Sequence, residues 1–186
     1  MILVGLKPPK AWVFVMFAVG EVVVYPGHGV CRIEKVVERV VSGADKRFFL
    51  LRALGAEMCI LIPEDKIDHA GLRHVVDMQT ADRILAILKE SDGVQAESNH
   101  NKQSWNRRFR EYMERIKTGN TVQIAEVLRT ISSVGLTKCL SFGEKRILNT
   151  SKALLAQEIA VAKRCSTERA LGEIEAALDG KQPFSL

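Results

Sequence analysis

Residues 104–119 read Ser-Trp-Asn-Arg-Arg-Phe-Arg-Glu-Tyr-Met-Glu-Arg-Ile-Lys-Thr-Gly, and this stretch decides how the carboxy-terminal half of the chain folds. Its apolar residues recur at helical spacing, which predicts an amphipathic helix with one face turned towards a core. These residues are Trp105, Phe109, Tyr112, Met113 and Ile116. Ser104 is a suitable N-cap and Gly119 a suitable C-terminal stop. The sequence therefore predicts a single helix between them.

The rest of this helix surface is strongly basic. It carries Arg107, Arg108, Arg110, Arg115 and Lys117 against only Glu111 and Glu114. A Trp in the first turn of a helix lies near the surface, beside these guanidinium groups. One interpretation is a hydrophobic cap on a helical bundle with a solvated charged face. The other is a DNA contact, in which the arginines bind phosphates and the indole stacks on bases. The residues alone leave both open.

The chain before this helix is predicted to form a small β domain. Residues 17–73 contain short β-branched runs separated by Gly, Pro and Asp turns, without a helical period. Strand patterns occupy residues 21–25, 30–41, 48–54 and 58–62. Short strands at such close spacing are typical of a five-stranded SH3-like or Tudor-like barrel.

Helical patterns fill most of the remainder. Apolar stripes predict helices over residues 80–89, 122–131, 141–163 and 166–178, and Ser141 and Glu144 have capping-box spacing. We therefore predict an α+β chain of two domains, a small N-terminal barrel followed by an all-α bundle. The expected divisions are an extension (1–16), the barrel (17–76), a helix and linker (77–103), the helical domain (104–178) and a tail (179–186).

Composition limits the functional classes. The 186 residues have a net charge of +5, and residues 102–152 carry 11 Lys or Arg against four Asp or Glu. A basic carboxy-terminal half beside a near-neutral amino-terminal half indicates different partners for the two halves. The four cysteines are scattered, and the sequence has no metal-ligand spacing, P-loop, nucleophile elbow or dinucleotide fingerprint. We expect no cofactor, no metal and no catalysis.

The amino-terminal segment, residues 1–16, precedes the β pattern. The apolar run at 11–19 is too short for a membrane span, and no convincing signal peptide is present. Because Met16 directly precedes the start of the β pattern, we expect residues 1–15 to be a dispensable extension that reflects a misassigned start codon.

Three stretches, in order, resemble the CarD/CdnL family of bacterial transcription regulators. They are residues 105–119, the segment Phe-Ala-Val-Gly-Glu-Val-Val-Val-Tyr-Pro-Gly-His-Gly-Val at 17–30, and Leu-Ser-Phe-Gly-Glu-Lys-Arg at 140–146. The resemblance extends over residues 17–178. It implies that the barrel binds the RNA polymerase β subunit and that the helical domain binds promoter DNA near the upstream edge of the bubble.

The resemblance also implies residue roles. Trp105 would be a wedge that opposes bubble collapse, and the matching basic positions would contact phosphates: Arg107, Arg108, Arg110, Lys117, Lys145 and Arg146. Arg39 lies where family members carry a polymerase-contacting Arg. Leu61 lies where some members have a second Arg, so that Leu61, Ile60 and Pro63 are candidates for an apolar patch. Alternation along a strand would turn either Leu61 or Ile60 towards the core.

Two other functional classes are compatible with the sequence. A protein-interaction adaptor would not contact DNA, and salt-dependent binding to forked DNA would separate it from a DNA binder. An RNA-binding barrel is disfavoured because the barrel has few aromatic residues for a stacking face. We expect a cytoplasmic monomer without membrane contact.

Overall fold

The amino-terminal half forms one antiparallel sheet. The structure, a computed structural model, describes residues 17–90 and 105–179. The strands are β1 (Val22–Tyr25), β2 (Gly29–Val41), β3 (Ala44–Ala53), β4 (Cys59–Pro63) and β5 (Arg73–His74), in the spatial order β4-β3-β2-β1-β5. The strand β4 therefore lies at an edge of the sheet.

The β2–β3 hairpin is the longest part of the sheet. Its ladder runs from Val41 opposite Ala44 down to Cys31 opposite Ala53. Both turn residues, Ser42 and Gly43, have positive φ angles (55° and 79°), as a tight two-residue hairpin turn requires. A bulge between residues 33 and 35 shifts the register. Such a bulge bends the strand and increases its twist, which fits the predicted barrel-like domain.

The carboxy-terminal half is all helical. Its helices are α2 (Met78–Lys89), α3 (Trp105–Lys117), α4 (Thr121–Thr137), α5 (Phe142–Lys163) and α6 (Thr167–Asp179), whereas the short helix α1 (Ile67–Ala70) lies between β4 and β5 of the sheet. The Ser141–Glu144 capping box is present at the start of α5. Gly119 ends α3 with a φ of +69°. The α+β class and the order of the two halves are confirmed; the predicted Ser104 cap lies outside the described residues.

The helix α2 belongs to the bundle. We expected residues 77–103 to form a helix and linker between two domains. The helix is present, and it buries Ala81, Ile84, Leu85 and Leu88 against the inner faces of α4, α5 and α6. Because a stripe of four buried side chains is the core-facing side of an amphipathic helix, the bundle starts at α2. Residues 91–103 of the expected linker lie outside the described residues.

The sheet and the bundle meet in a polar junction. Arg73 of β5 donates to both carboxylate oxygens of Glu158 in α5 (2.5 and 2.9 Å) and to the carbonyl of Gly119 (3.0 and 2.6 Å). The side chain of Gln157 lies against Gly29 and Gly55, where a Cβ atom would come within 2.6 Å of it. The Arg73 side chain and the N–H of Val30, which donates to Gln157 Oε1 (3.4 Å), therefore fix the orientation of one half relative to the other.

The expected extension 1–16 and all of the tail except residue 179 lie outside the described residues. Within residues 17–90 and 105–179, no helix combines the length and the apolar character that a membrane crossing needs.

Candidate nucleic-acid interface

Trp105 is the first residue of α3, and its indole is half-buried. One edge packs on the bundle: its ring contacts Phe109, with centroids 5.5 Å apart and planes tilted by 51°. The same cluster includes Tyr112, Ile116 and Ile147. The ring is therefore held by the core without being enclosed in it, which is the arrangement that a contact with an external partner requires.

Gly143 provides the seat for the indole. A Cβ atom at this position would lie 2.6 Å from Cζ2 of Trp105. No side chain can occupy that space without moving the ring. Gly143 is in the first turn of α5, so its contact with Trp105 joins the starts of α3 and α5 at one end of the bundle.

Basic side chains surround this end. The guanidinium of Arg108 lies 6.0 Å from the centroid of the Trp105 ring, at the limit of a cation–π contact. Arg107 and Arg110 are exposed on α3, and Lys145 and Arg146 are exposed in the first turns of α5. The structure thus brings five of the six predicted phosphate-contacting residues to the same end as the indole.

Lys117 is the exception among these predictions. It is exposed at the last residue of α3. Twelve helical steps separate it from Trp105, a distance of about 18 Å along the axis. It lies next to the turn that contacts the sheet, so it does not share a local site with the indole.

Glu144 balances the charge at the start of α5. Its buried carboxylate accepts hydrogen bonds from the Ser141 N–H (2.8 Å) and from Lys138 Nζ (3.1 Å). Burial by itself raises the pKa of Glu144, but the hydrogen bonds from Ser141 and Lys138 together hold the pKa below its usual range. The N–H groups of Glu144 and Lys145 donate to Ser141. These N–H groups are therefore already hydrogen-bonded, and the exposed side chains of Lys145 and Arg146 are available as donors to phosphate.

The predicted polymerase-binding residues share one face of the sheet. Residues paired across an antiparallel ladder lie on the same face. Leu61 pairs with Leu50 and Pro63 with Phe48, while Arg39 pairs with Lys46, which has the same parity on β3. Leu61 is 40% exposed.

Alternation settles the choice between Leu61 and Ile60. Ile60 and Ile62 pair with Leu51 and Phe49, which are buried in the core of the sheet. They therefore face inwards. Leu61 faces outwards beside Pro63, so the outer face offers an apolar strip on an edge strand.

Both halves of the chain match known domains. Residues 84–175 match the family described as CarD, C-terminal domain, and residues 17–76 match the CarD-like/TRCF RID domain. The chain belongs to the CarD/CdnL family. A Bacillus subtilis (strain 168) protein named "Putative transcription factor YdeB" is 29% identical over 150 residues, which cover 80% of this chain and 93% of that protein. The CarD/CdnL family is one of transcription factors and not of enzymes, and its RID domain interacts with RNA polymerase.

The domain matches divide the candidate residues in two. Arg39, Leu61 and Pro63 lie in the RID match, and Trp105 with its basic neighbours lies in the CarD C-terminal match. Among the described residues, no group of three or more His, Cys, Asp or Glu side chains could hold a metal ion.

Sequence reasoning missed two features of this CarD/CdnL chain. Phe142, the residue before Gly143, is 85% exposed. The capping box could have indicated this exposure, because it places Phe142 at the first position of the helix. The second feature is the pairing of Arg73 with Glu158, which are 85 residues apart. No local pattern in the sequence indicates it.

Proposed function

We propose that this protein docks on the β subunit of RNA polymerase through its sheet and stabilises the open promoter complex with Trp105. The indole would lie at the upstream edge of the melted region and oppose reannealing. The observation that carries this proposal is the half-buried indole at a basic end of the bundle. A ring seated in the core on one side loses little conformational freedom when its other side binds.

The docking contact is proposed for the outer face of the sheet. Leu61 and Pro63 on the edge strand β4 offer apolar surface, and Arg39 adds a cation on the same face. Edge strands commonly pair with a partner's strand, with neighbouring side chains giving specificity. Arg39 would then set the register of the contact through an acidic partner residue.

The DNA contact is proposed for the end of the bundle formed by the starts of α3 and α5. Exposed Arg107, Arg110, Lys145 and Arg146 would bind phosphates. Trp105 would stack on the terminal base pair of the upstream duplex. Shape would decide where it binds, because the basic helix has no Asn or Gln pair suited to reading base edges. The polymerase would supply the promoter.

The size of the effect follows from stacking energies. Closing one base-pair step at the bubble edge regains about 1–2 kcal/mol. An indole stacked at that edge recovers a similar amount, about 1–3 kcal/mol. Because about 1.4 kcal/mol corresponds to a factor of ten in rate, the lifetime of the open complex should rise about tenfold.

The junction between the halves supports the combination of the two contacts. Arg73 holds both α5 and the turn after α3 against the sheet. A rigid connection presents the second surface at a high effective concentration once the first is bound. Two weak contacts can then give one stable complex.

The test is the lifetime of the promoter complex after a competitor challenge, with wild-type protein, with Trp105→Ala and with no addition. Met78→Ala, a truncation of an exposed apolar side chain at the start of α2, is the matched control. We expect wild-type protein and the control to extend the lifetime about tenfold. Trp105→Ala should bind polymerase equally well and lose most of the extension.

Two outcomes would contradict the proposal. If Trp105→Ala extends the lifetime as much as the wild type does, the wedge is wrong. If the protein binds polymerase and DNA affinity is absent at low salt, an adaptor without DNA contact is the better account.

A further inference from the structure

Phe142 has the most exposed large apolar side chain among the described residues. Its exposed fraction is 85%, compared with 60% for Met78, which also begins a helix. The Phe ring therefore contributes almost none of its surface to the core. Its immediate neighbours in sequence are built into structure: Ser141 and Glu144 form the capping box, and Gly143 seats the indole of Trp105. A rigid turn thus presents this ring to solvent.

The backbone of Phe142 lies near Trp105. A Cβ on Gly143 would be 2.6 Å from Cζ2 of Trp105, and consecutive Cα atoms are about 3.8 Å apart. The backbone of Phe142 is therefore within about 8 Å of the indole edge, which is close to two base-stacking distances. Successive bases along a strand are about 3.4 Å apart, so nucleotides at a fork can span the distance between the Phe142 backbone and the indole edge.

The charge around the two rings favours a nucleic acid. The first turn of α3 contains no acidic residue, and the only acid in the first turn of α5 is Glu144, whose carboxylate is buried and hydrogen-bonded. Arg107, Lys145 and Arg146 are exposed. A partner that combines flat apolar groups with dense negative charge matches this surface, and DNA with unstacked bases has that chemistry.

We propose that Phe142 is a second base-contacting aromatic residue, which stacks on an unpaired base next to the base pair that Trp105 contacts. This inference rests on the proposed function and adds a second position to it. Trp105 would contact the last pair of the duplex, and Phe142 would hold the first melted nucleotide away from its partner strand. Together the two rings would select a junction over either continuous duplex or free single strand.

The test uses the full chain, without polymerase, and two labelled DNAs of equal length, a blunt duplex and a duplex with one forked end. Fluorescence anisotropy at low salt measures binding of the wild type, Trp105→Ala and Phe142→Ala to each DNA. Phe142→Leu keeps an apolar side chain without a ring, Phe142→Trp restores a ring, and Met78→Ala is the control for loss of exposed apolar surface. Circular dichroism confirms that each variant is folded.

We expect Phe142→Ala and Phe142→Leu to bind the forked DNA about tenfold more weakly than the wild type, within the range found for stacking aromatic residues. Their affinity for blunt duplex should be unchanged, and Phe142→Trp should bind the fork like the wild type. Equal fork affinity of Phe142→Ala and wild type, with weakened binding by Trp105→Ala, would overturn this inference and leave the proposed function standing. Fork affinity unaffected by either substitution would overturn both.

Discussion

The ion pair at the junction gives a prediction whose size follows from the structure. Glu158 is only 4% exposed, and its carboxylate accepts hydrogen bonds from Arg73, from the Thr121 hydroxyl (3.2 Å) and from the Val76 N–H (3.2 Å). The substitution Arg73→Met keeps the apolar stem and removes the cation. Glu158 would then remain buried with two neutral donors.

Breaking a buried ion pair by removing one partner costs about 3–5 kcal/mol. Arg73 is 29% exposed, so water screens part of the attraction, and we expect the lower end, about 3 kcal/mol. Arg73 also donates to Gly119 and Thr121, so two further acceptors lose a donor. With an m-value of about 2 kcal/mol per M, the urea midpoint should fall by about 1.5 M.

Urea unfolding followed by far-ultraviolet circular dichroism measures this midpoint. The matched control is Arg52→Met, which removes the Arg of a solvent-exposed strand ion pair with Glu34; because water screens both groups, we expect a much smaller loss of stability than for Arg73→Met. In the double variant Arg73→Met/Glu158→Gln, no unpaired buried carboxylate remains. The loss in free energy of unfolding of the double variant should therefore be smaller than the sum of the losses of the two single variants. A midpoint for Arg73→Met equal to that of Arg52→Met would refute the reasoning.

Gly119, Glu144 and Arg39 are the sites of three further tests. Gly119→Ala should lower the free energy of unfolding by about 2 kcal/mol, because the φ of Gly119 is positive and a Cβ would lie 3.0–3.1 Å from Pro26. The control is Gly172→Ala in α6, where no atom lies within 4 Å of the added Cβ, and it should be neutral or stabilising. The pKa of Glu144 is lowered on folding, so its contribution to stability is present above the unfolded pKa and is lost as the pH falls through the folded pKa. When urea unfolding is measured at decreasing pH, the free energy of unfolding should therefore fall further for the wild type than for Glu144→Gln; equal losses would contradict this. Arg39→Glu should weaken polymerase binding at least tenfold without altering DNA binding in the absence of polymerase, and an unchanged pull-down would exclude this face.

Local sequence patterns predicted most of the helices and strands. The apolar spacing of residues 105–116 predicts α3, and the capping box predicts the start of α5, because both depend on residues within one or two turns. The β-branched runs likewise predict the strands. The sequence pattern of β4 did not determine whether Leu61 faces the core or the solvent, because this depends on the register of β4 against β3.

The rest depended on long-range contacts. The pairing of Arg73 with Glu158 and the seating of Trp105 on Gly143 join residues far apart in sequence. The composition of the basic helix grouped Lys117 with the other cations, but helix geometry separates it from the indole by about 18 Å. Phe142 was part of a recognised motif, and only its exposure shows that it is available to a partner.

The central claim is that the indole of Trp105 touches DNA at the upstream edge of the bubble. The most direct measurement is the fluorescence of 2-aminopurine placed at that edge in a polymerase–promoter complex, with wild-type protein or Trp105→Ala added at saturation. The account predicts that the wild type quenches the probe by stacking on it and that Trp105→Ala leaves the fluorescence as it is without protein. Equal quenching by both proteins would contradict it.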